Sequence, residues 1–318
     1  MTDPVVPVEP AVDLVVELAV QLAVELADLA AAVAAEAAAL VRRHAGVGVA
    51  ATKSSDVDVV TVADRASEEL IRERLLAARP GDAVLGEEGD DVTGTSGVRW
   101  IVDPIDGTVN FLYGRAEHAV SIAAEVDGEV VAGVVLRVGD GALYRAHRDP
   151  AQPNGGRATR DGAPLEVRGP APLGQRLIAT GFSYDAAMRG RQAQAVARLL
   201  PHIRDIRRGG SCALDLCGVA EGAADGYLEE GIHLWDHAAG GLIARCAGAR
   251  TRLVPGASGR MLMVAAPAHG FAELLRAAGD AGFLAADQAT GEAGDGTADR
   301  TADGVGDETW ETPATDRE

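Results

Sequence analysis

Alanine, valine and leucine dominate residues 12–41, and polar side chains interrupt them at three-, four- and eight-residue steps. Because such steps return to one side of an α-helix, the pattern predicts an amphipathic helix that a single break could divide. The polar positions are Asp13, Glu17, Gln21, Glu25, Asp28 and Glu36. A membrane span rarely carries so many acids, so we expect this helix to belong to a soluble domain.

The next part of the chain predicts one helix and then several strands. Apolar residues keep helical spacing over residues 62–78, and Pro80-Gly81 ends the helix. Apolar runs of strand length follow at residues 83–85, 100–102, 119–126, 130–136 and 143–146. Asp127-Gly128 separates two of these runs, and this pair is a strong signal for a tight β-hairpin; Asp161-Gly162 resembles it. The first half of the chain therefore predicts an α+β arrangement with antiparallel strands.

Strands and helices alternate from residue 177 onward. The predicted strands are 177–180, 203–207, 227–228 and 261–265, and the predicted helices are 191–200, 211–221, 235–247 and 271–278. Such alternation is typical of a layered α/β half. We expect the two halves, about residues 12–146 and 147–284, to be subdomains that share one cleft.

The two ends of the chain differ from the rest in composition. Residues 1–11 are expected to form a flexible N-terminus, and they contain no basic residue, unlike a secretory signal. Residues 285–318 hold 10 acids and 2 arginines among glycine, alanine and threonine. Because this segment cannot bury enough apolar surface to offset the entropy of ordering, it predicts a disordered acidic tail.

Composition and charge narrow the class of function. The chain has 318 residues, 47% of them hydrophobic, and a formal net charge of −19. So acidic a chain argues against nucleic acid or an anionic membrane as the main partner, although local cations could still attract a small phosphate ester. Cys212, Cys217 and Cys246 form no C-x-x-C pair, so we interpret each as a small buried apolar residue in a reducing, cytoplasmic location.

The chemistry is concentrated where the apolar run at residues 100–102 breaks off into Asp103-Pro104-Ile105-Asp106-Gly107-Thr108. Like charges repel, and a carboxylate near a core costs several kcal/mol unless water or a cation compensates it. Other acids also stand where an apolar element meets a loop or a helix end: Asp64, Glu87 and Asp236. Carboxylates without histidine partners favour Mg²⁺ over Zn²⁺. Pro104 fixes its own φ, which would help neighbouring oxygens converge on one ion.

The residues after the carboxylates predict an anion site. Gly107-Thr108 is expected to open a helix, and the free N–H groups at a helix start attract phosphate. One short stretch would then hold a cation against a phosphate. The alternatives are an ordinary Asp-Pro-Gly turn, a solvated loop acid at Glu87 and a simple helix cap at Asp236. The presence of all these acids together favours the metal interpretation.

Four motifs carry a resemblance to a known family. They are K-S-S-D-V-D-V-V-T-V-A-D at 53–64, G-E-E at 86–88, W-I-V-D-P-I-D-G-T-V-N-F at 100–111 and W-D-H-A-A-G at 235–240. The chain resembles the inositol monophosphatase family of Mg²⁺-dependent, lithium-sensitive phosphatases over roughly residues 12–280. The resemblance implies a layered αβαβα sandwich of the inositol monophosphatase and fructose-1,6-bisphosphatase type, a phosphatase domain over 12–284, and a homodimer.

The resemblance also implies roles for the acidic positions. Two or three Mg²⁺ ions would bind the main-chain carbonyl of Ile105 and four carboxylates, those of Glu87, Asp103, Asp106 and Asp236. Asp64 and Thr108 would position and activate the attacking water, with Glu87 close to it.

Substrate contacts follow from the same resemblance. Gly107 and Thr108 would supply amides to the phosphate, and the positions on the alcohol side would be Gly210, Ser211, Cys212 and Glu229. The ligands Glu87, Ile105, Asp106 and Asp236 would also touch substrate. Lys53 and His233 fall on familiar positions, and His233 could serve either structure or substrate binding.

The implied reaction is hydrolysis of inositol monophosphate by a metal-activated water, without a covalent enzyme intermediate. Histidinol phosphate is the alternative substrate, followed by other small sugar or nucleotide phosphates, since fold does not settle substrate. A non-catalytic binding or regulatory protein is the alternative of another class. Loss of Asp106, Thr108 or Asp236 would favour it, and all three are present.

Overall fold

The computed structural model describes residues 9–46, 49–52 and 59–285. The predicted acidic tail beyond Ala285, residues 1–8 of the predicted flexible N-terminus, and Lys53 lie outside these described residues. The helices are α1 (Glu9–Arg43), α2 (Val62–Ala78), α3 (Thr108–Leu112), α4 (Ala186–Leu199), α5 (Cys212–Ala220), α6 (Leu234–Cys246) and α7 (Phe271–Ala281).

The strands form two large sheets and one small pair. The strands are β1 (Val49–Thr52), β2 (Val59–Thr61), β3 (Ala83–Gly86), β4 (Val98–Asp106), β5 (Ala119–Val126), β6 (Glu129–Arg137), β7 (Leu143–Arg148), β8 (Gly156–Arg160), β9 (Ala163–Pro164), β10 (Leu177–Thr180), β11 (Asp205–Arg207), β12 (Gly226–Glu230), β13 (Ala249–Pro255) and β14 (Met261–Pro267). A seven-stranded sheet runs in the order β3-β4-β5-β6-β7-β8-β9, and only its β3–β4 pair is parallel. A five-stranded sheet runs β11-β10-β12-β14-β13, with β10 parallel to both neighbours, and β1 pairs with β2.

Three apolar cores separate five layers. The first core joins α1 and α2 to one face of the seven-stranded sheet. The second lies between the two sheets and is filled by α5 and α6, while the third joins the far face of the five-stranded sheet to α4 and α7. The order is therefore helix, sheet, helix, sheet, helix, which confirms the predicted αβαβα sandwich. Because the middle core uses residues of both halves, the halves are packed into one body.

Turn chemistry agrees with the two predicted hairpins. Asp127 and Gly128 have φ of 52° and 83°, and Asp161 and Gly162 have φ of 51° and 83°. Positive φ at both central residues matches the right-handed twist of the flanking strands, and Asp-Gly tolerates it well. These turns join β5 to β6 and β8 to β9.

Helix α1 is longer than predicted and has no break. It is long and apolar enough to cross a membrane by length and composition, and an 18-residue window within Leu14–Arg43 has a mean hydropathy of 1.8. Its inward side chains, among them Leu26, Val33 and Val41, are at most 3% exposed because they pack on α2 and the seven-stranded sheet. Packing therefore accounts for the apolar side chains on the inward face, whereas large apolar side chains near the start of the helix are exposed: Leu14, Val15, Val16 and Leu18.

Candidate active site

The two acids flanking Pro104 lie at the end of β4, in the middle of the molecule. Asp103 is 1% exposed and Asp106 is 8% exposed. The regular pairing of β4 with β5 shifts between these two residues, so the strand bends where the acids stand. The N–H of Ile105 donates to Asp103 Oδ1 at 3.0 Å, which closes the turn locally. A local bend thus keeps both carboxylates at one end of a buried strand.

Asp106 also connects the seven-stranded sheet to α5. Its Oδ2 accepts from the Ser211 hydroxyl at 2.6 Å and from the Ala213 N–H at 2.7 Å. Burial raises the pKa of Asp106 to about 7, although these two hydrogen bonds oppose the rise. The negative charges of Glu229 and Glu87 contribute to the same rise. Asp106 therefore links the two halves of the chain, and its surroundings disfavour its ionised form.

The other acids of the cluster repel one another in the same way. Burial, then the charges of Glu87, Asp106 and Asp236, raise the pKa of Asp103 well above its ordinary value. Burial and the charges of Asp106 and Glu87 likewise raise the pKa of Asp236, although the His233 N–H donates to it at 2.6 Å. The predicted metal ligands, which stand 149 positions apart at their extremes, thus meet in one place.

Asp64 and Thr108 form the second predicted group. Thr61 caps α2, and Asp64 in the first turn accepts the Thr61 N–H at 2.8 Å, so the helix start fixes the carboxylate. The Thr108 hydroxyl lies 3.1 Å from Asp64 Oδ1 and 3.1 Å from the carbonyl oxygen of Ile105. The fold therefore brings Asp64 and Thr108 into hydrogen-bond contact across 44 positions of sequence.

Gly107 brings the predicted phosphate side close to the predicted alcohol side. It has φ of 93°, and a Cβ added there would lie 3.0 Å from the carbonyl oxygens of Glu117 and Gly210. Helix α3 begins directly after it, as predicted. The Asn110 amide donates to the carbonyls of Glu117 and Gly209 at 2.6 and 2.9 Å, which holds the two loops together.

Glu229 lies on β12 at the alcohol side. Its Oε2 accepts from the Tyr227 hydroxyl at 2.7 Å, and a Cβ added at Gly181 would come within 1.9 Å of its carboxylate. Burial raises the pKa of Glu229, whereas the Tyr227 hydrogen bond and the charge of Arg208 lower it. The carboxylate is therefore held in a tight slot between β10 and its own strand.

Cys212 and His233 are two further positions to which the family resemblance drew attention. Cys212 is buried, and burial raises the pKa of its thiol well above the ordinary value, so it behaves as a neutral apolar group as predicted for the cysteines. The ring of His233 stacks on Trp235 with centroids 4.9 Å apart, which gives His233 a structural contact.

The donor set at this site fits a hard cation. Among the described residues, no Lys or Arg side chain forms a salt bridge with Asp103, Asp106 or Asp236. Oxygen-only ligands with unrelieved negative charge suit Mg²⁺. In the same described ranges, no three His, Cys, Asp or Glu side chains lie close enough together, as they stand, to hold a metal ion.

Two residues of this neighbourhood were missed from the sequence. Glu68 on α2 is buried against residues 86–88, and Gly181 is the neighbour that encloses Glu229. The only sequence signal for Glu68 is its position one helical turn after Asp64, on the same face.

Buried carboxylates beside a helix start are suited to phosphate esters, and here a layered fold holds them between its two sheets. The fold and the site together define the class of this protein, which is a phosphatase. Residues 19–281 match the family model described as "Inositol monophosphatase family". The chain belongs to the inositol monophosphatase family.

Individual relatives agree with the family. The "Inositol-1-monophosphatase SuhB" of Mycobacterium tuberculosis is 48% identical over 241 residues, covering 73% of this chain and 82% of the relative. The solved structure "Mycobacterium tuberculosis SuhB" is 42% identical with a TM-score of 0.69, covering 82% of this chain and 98% of that one. The "Nus factor SuhB" of Pasteurella multocida is 38% identical over 199 residues, covering 62% of this chain and 72% of the relative.

Proposed function

We propose that this phosphatase hydrolyses inositol monophosphate to inositol and phosphate and depends on Mg²⁺. The observation that carries the proposal is the close grouping of the buried Asp103 and Asp106 with the half-buried Asp236, whose charges have no basic partner among the described residues. A relative 48% identical to the chain is named an inositol-1-monophosphatase, which supports the substrate. Histidinol phosphate remains the alternative substrate.

The proposed ligands for two or three Mg²⁺ ions are the carboxylates of the acidic cluster and one carbonyl: Glu87, Asp103, Ile105, Asp106 and Asp236. Bound Mg²⁺ would neutralise phosphate charge and lower the pKa of a water. The protein's own part is to hold the carboxylates at one place and, at Asp106, to oppose the rise in pKa that burial causes. The bend in β4 and the hydrogen bonds from Ser211 and Ala213 do this for Asp106.

Asp64 and Thr108 would handle the proton of the attacking water. When the Thr108 hydroxyl donates to Asp64 Oδ1, its oxygen is left to accept a hydrogen bond from water. As the water oxygen bonds to phosphorus, its proton would pass to the Thr108 oxygen while the Thr108 proton moves to Asp64. The bond between phosphorus and the ester oxygen would break with its electron pair on that oxygen, which would leave on the opposite side, towards Asp236, and take a proton from solvent.

The alcohol would be recognised by the far wall of the site. Glu229 has one carboxylate oxygen, Oε1, that does not accept from Tyr227, and it could accept from a sugar hydroxyl. Gly210, Ser211 and Cys212 would present main-chain groups to the substrate, because the Ser211 hydroxyl is already committed to Asp106. The N–H groups of Gly107 and Thr108 would contact the phosphate.

Phosphate release from a panel of esters tests the proposal. The panel contains inositol 1-phosphate, histidinol phosphate, fructose 1,6-bisphosphate and a phosphoadenosine phosphate, each with Mg²⁺ or with EDTA. We expect the highest kcat/KM with inositol 1-phosphate, and no turnover in EDTA until Mg²⁺ is restored. Full activity in EDTA would refute metal dependence, and preference for histidinol phosphate would favour the alternative.

We also propose a cytoplasmic homodimer without a nucleic-acid partner. The net charge of −19 disfavours direct binding to nucleic acid. Sedimentation at micromolar concentration should give a dimer, and a monomer alone would refute that part. An RNA-binding assay at low salt should give no complex, which matters because one relative is named a Nus factor.

A further inference from the structure

One face of α2 contacts both acidic loops of the site. The Ser67 hydroxyl lies 3.3 Å from the carbonyl oxygen of Pro104, and Glu68 reaches the loop at residues 86–90. Asp64 lies one turn earlier on the same face, since residues three and four apart are neighbours on a helix. A single rigid helix therefore sets the relative position of the loop at the end of β4 and the loop that follows β3.

Glu68 is the residue that attaches α2 to the 86–90 loop. It is 3% exposed, and its Oε2 accepts from the main-chain N–H of Glu88 at 2.7 Å. Its Oε1 accepts from Arg72 at 2.7 Å, and Arg72 also donates to the carbonyl of Asp90. A buried carboxylate is costly unless it is paired, and Arg72 supplies the opposite charge. Glu68 and Arg72 together thus bind the loop at two points of its main chain.

The loop approaches this pair too closely for any side chain to intervene. A Cβ added at Gly86 would lie 2.5 Å from Glu68 Oε1. A Cβ added at Gly89 would lie 2.6 Å from an Arg72 guanidinium nitrogen. Glycines on both sides of Glu87-Glu88 therefore let the main chain rest directly on the Glu68–Arg72 pair.

Glu87 needs such support because its surroundings repel it. Its side chain is close enough to Asp103 for a hydrogen bond, and its charge is felt at Asp106 and Asp236 as well. When these carboxylates are ionised, as binding of Mg²⁺ requires, like charges favour any motion that takes Glu87 away from the cluster. A loop tied only at its ends could relieve the repulsion by moving outward.

We propose that Glu68, together with Arg72, is a positioning residue that holds the 86–90 loop so that Glu87 faces Asp103 and the site is ready for Mg²⁺. The proposal rests on the proposed function, because Glu87 is a Mg²⁺ ligand only within it. Residues that orient a metal ligand typically change metal affinity about 10–100-fold when removed. Glu68 acts through Glu87 and touches no substrate.

Calorimetric titration of Mg²⁺ into the full chain tests the proposal. Glu68→Ala should weaken Mg²⁺ binding about 10–100-fold, while kcat at saturating Mg²⁺ stays near that of the unaltered protein. Glu69→Ala is the matched control, because Glu69 is the exposed neighbour on the same helix. The control should bind Mg²⁺ as the unaltered protein does. A role in stability alone would lower the melting temperature and leave the affinity of the folded protein unchanged.

Amide hydrogen exchange in EDTA tests the loop without any cation. Glu68→Ala should speed exchange at residues 86–90 and leave α2 unaffected, whereas Glu69→Ala should change neither. If Glu68→Ala does not fold, Glu68→Gln keeps the shape and an acceptor for the Glu88 N–H, and should weaken Mg²⁺ binding to a smaller extent. A folded Glu68 variant with unchanged Mg²⁺ affinity, or with unchanged exchange at 86–90, overturns the proposal. An unaltered protein that binds no Mg²⁺ refutes the proposed function instead, and the exchange result still decides whether Glu68 holds the loop.

Discussion

The hydroxyl of Thr108 has one proton and two oxygen acceptors within reach, Asp64 Oδ1 and the Ile105 carbonyl, each at 3.1 Å. Thr108→Ala removes the hydroxyl and keeps the main-chain N–H. We expect kcat to fall by about two orders of magnitude, as for loss of a positioned proton acceptor, with KM and Mg²⁺ affinity little changed. Steady-state kinetics at several Mg²⁺ concentrations would measure this.

Asp236→Asn is the companion variant, because it removes one charge from the proposed cation ligands without changing size. It should weaken Mg²⁺ binding as well as lower kcat. A Thr108→Ala enzyme that loses substrate affinity but keeps normal turnover at saturation would contradict the assignment of the water to Thr108.

A second prediction at the scale of one residue concerns Gly181. Because a Cβ there would come within 1.9 Å of Glu229, Gly181→Ala must displace that carboxylate. We expect KM for inositol 1-phosphate to rise about tenfold, which corresponds to about 1.4 kcal/mol. Hydrolysis of p-nitrophenyl phosphate, which has no sugar hydroxyls, should be unaffected. Gly190→Ala on α4 is the control, since nothing lies within 4 Å of its added Cβ. Equal losses on both substrates would show that Glu229 does not recognise the alcohol.

Among the elements, those with local signals were predicted best. Residues 62–78 form α2 as predicted, because Thr61 caps its start and Pro80-Gly81 follows its end. Strand β13 (Ala249–Pro255) was missed, since A-R-T-R-L-V-P mixes charge into a half-exposed strand. Helix α4 starts at Ala186, five residues before the predicted start, because Asp185 caps it through the Met188 N–H.

In the candidate site, too, the residues with a local sequence signal could be predicted and the contacts between distant parts of the chain could not. The acids around Pro104 could be singled out because they are contiguous and follow an apolar strand. Contacts such as Ser211 with Asp106 depend on how two halves of the chain meet, and no local pattern encodes them. Their proposed roles came from family resemblance, and the Glu68 contact came from the structure alone.

Asp82 connects the end of α2 to β4 and allows a test of stability. It is 1% exposed and accepts hydrogen bonds from Arg79, Ser96 and the Trp100 indole. Asp82→Ala would leave the indole N–H and the hydroxyl unpaired, so we expect a loss of about 2–4 kcal/mol in the free energy of unfolding. Urea denaturation would measure it, with the exposed Asp91→Ala as control. A loss no larger than that of the control would show that Asp82 does not stabilise the fold.

At the scale of the whole molecule, the carboxylate cluster links stability to pH. Burial first, and then neighbouring charges, raise the pKa of Asp106 from 3.8 to about 7, and the pKa values of Asp103 and Asp236 also rise. Between pH 3.8 and about pH 7, Asp106 of the folded metal-free protein therefore keeps a proton that the same residue has released in the unfolded chain. The protein's stability should therefore fall as pH rises from about 4 to about 7.

Mg²⁺ should reverse this dependence, because it binds the ionised carboxylates. We expect the gain in melting temperature from Mg²⁺ to be larger at about pH 8 than at about pH 5. Thermal melts in EDTA and in Mg²⁺ across this range would measure both effects. A metal-free melting temperature that climbs steadily from about pH 5 to about pH 8 would contradict the linkage.

The sharing of the middle core by both halves has a consequence for how the protein is made. During synthesis at about 5–20 residues per second, Asp106 emerges on the order of ten seconds before Asp236. Until α5 and α6 are translated, the inner face of the seven-stranded sheet has no cover. The nascent first half therefore leaves the ribosome with an open apolar surface and a partial set of acids. We expect this stretch of translation to be the interval in which chaperones engage the chain.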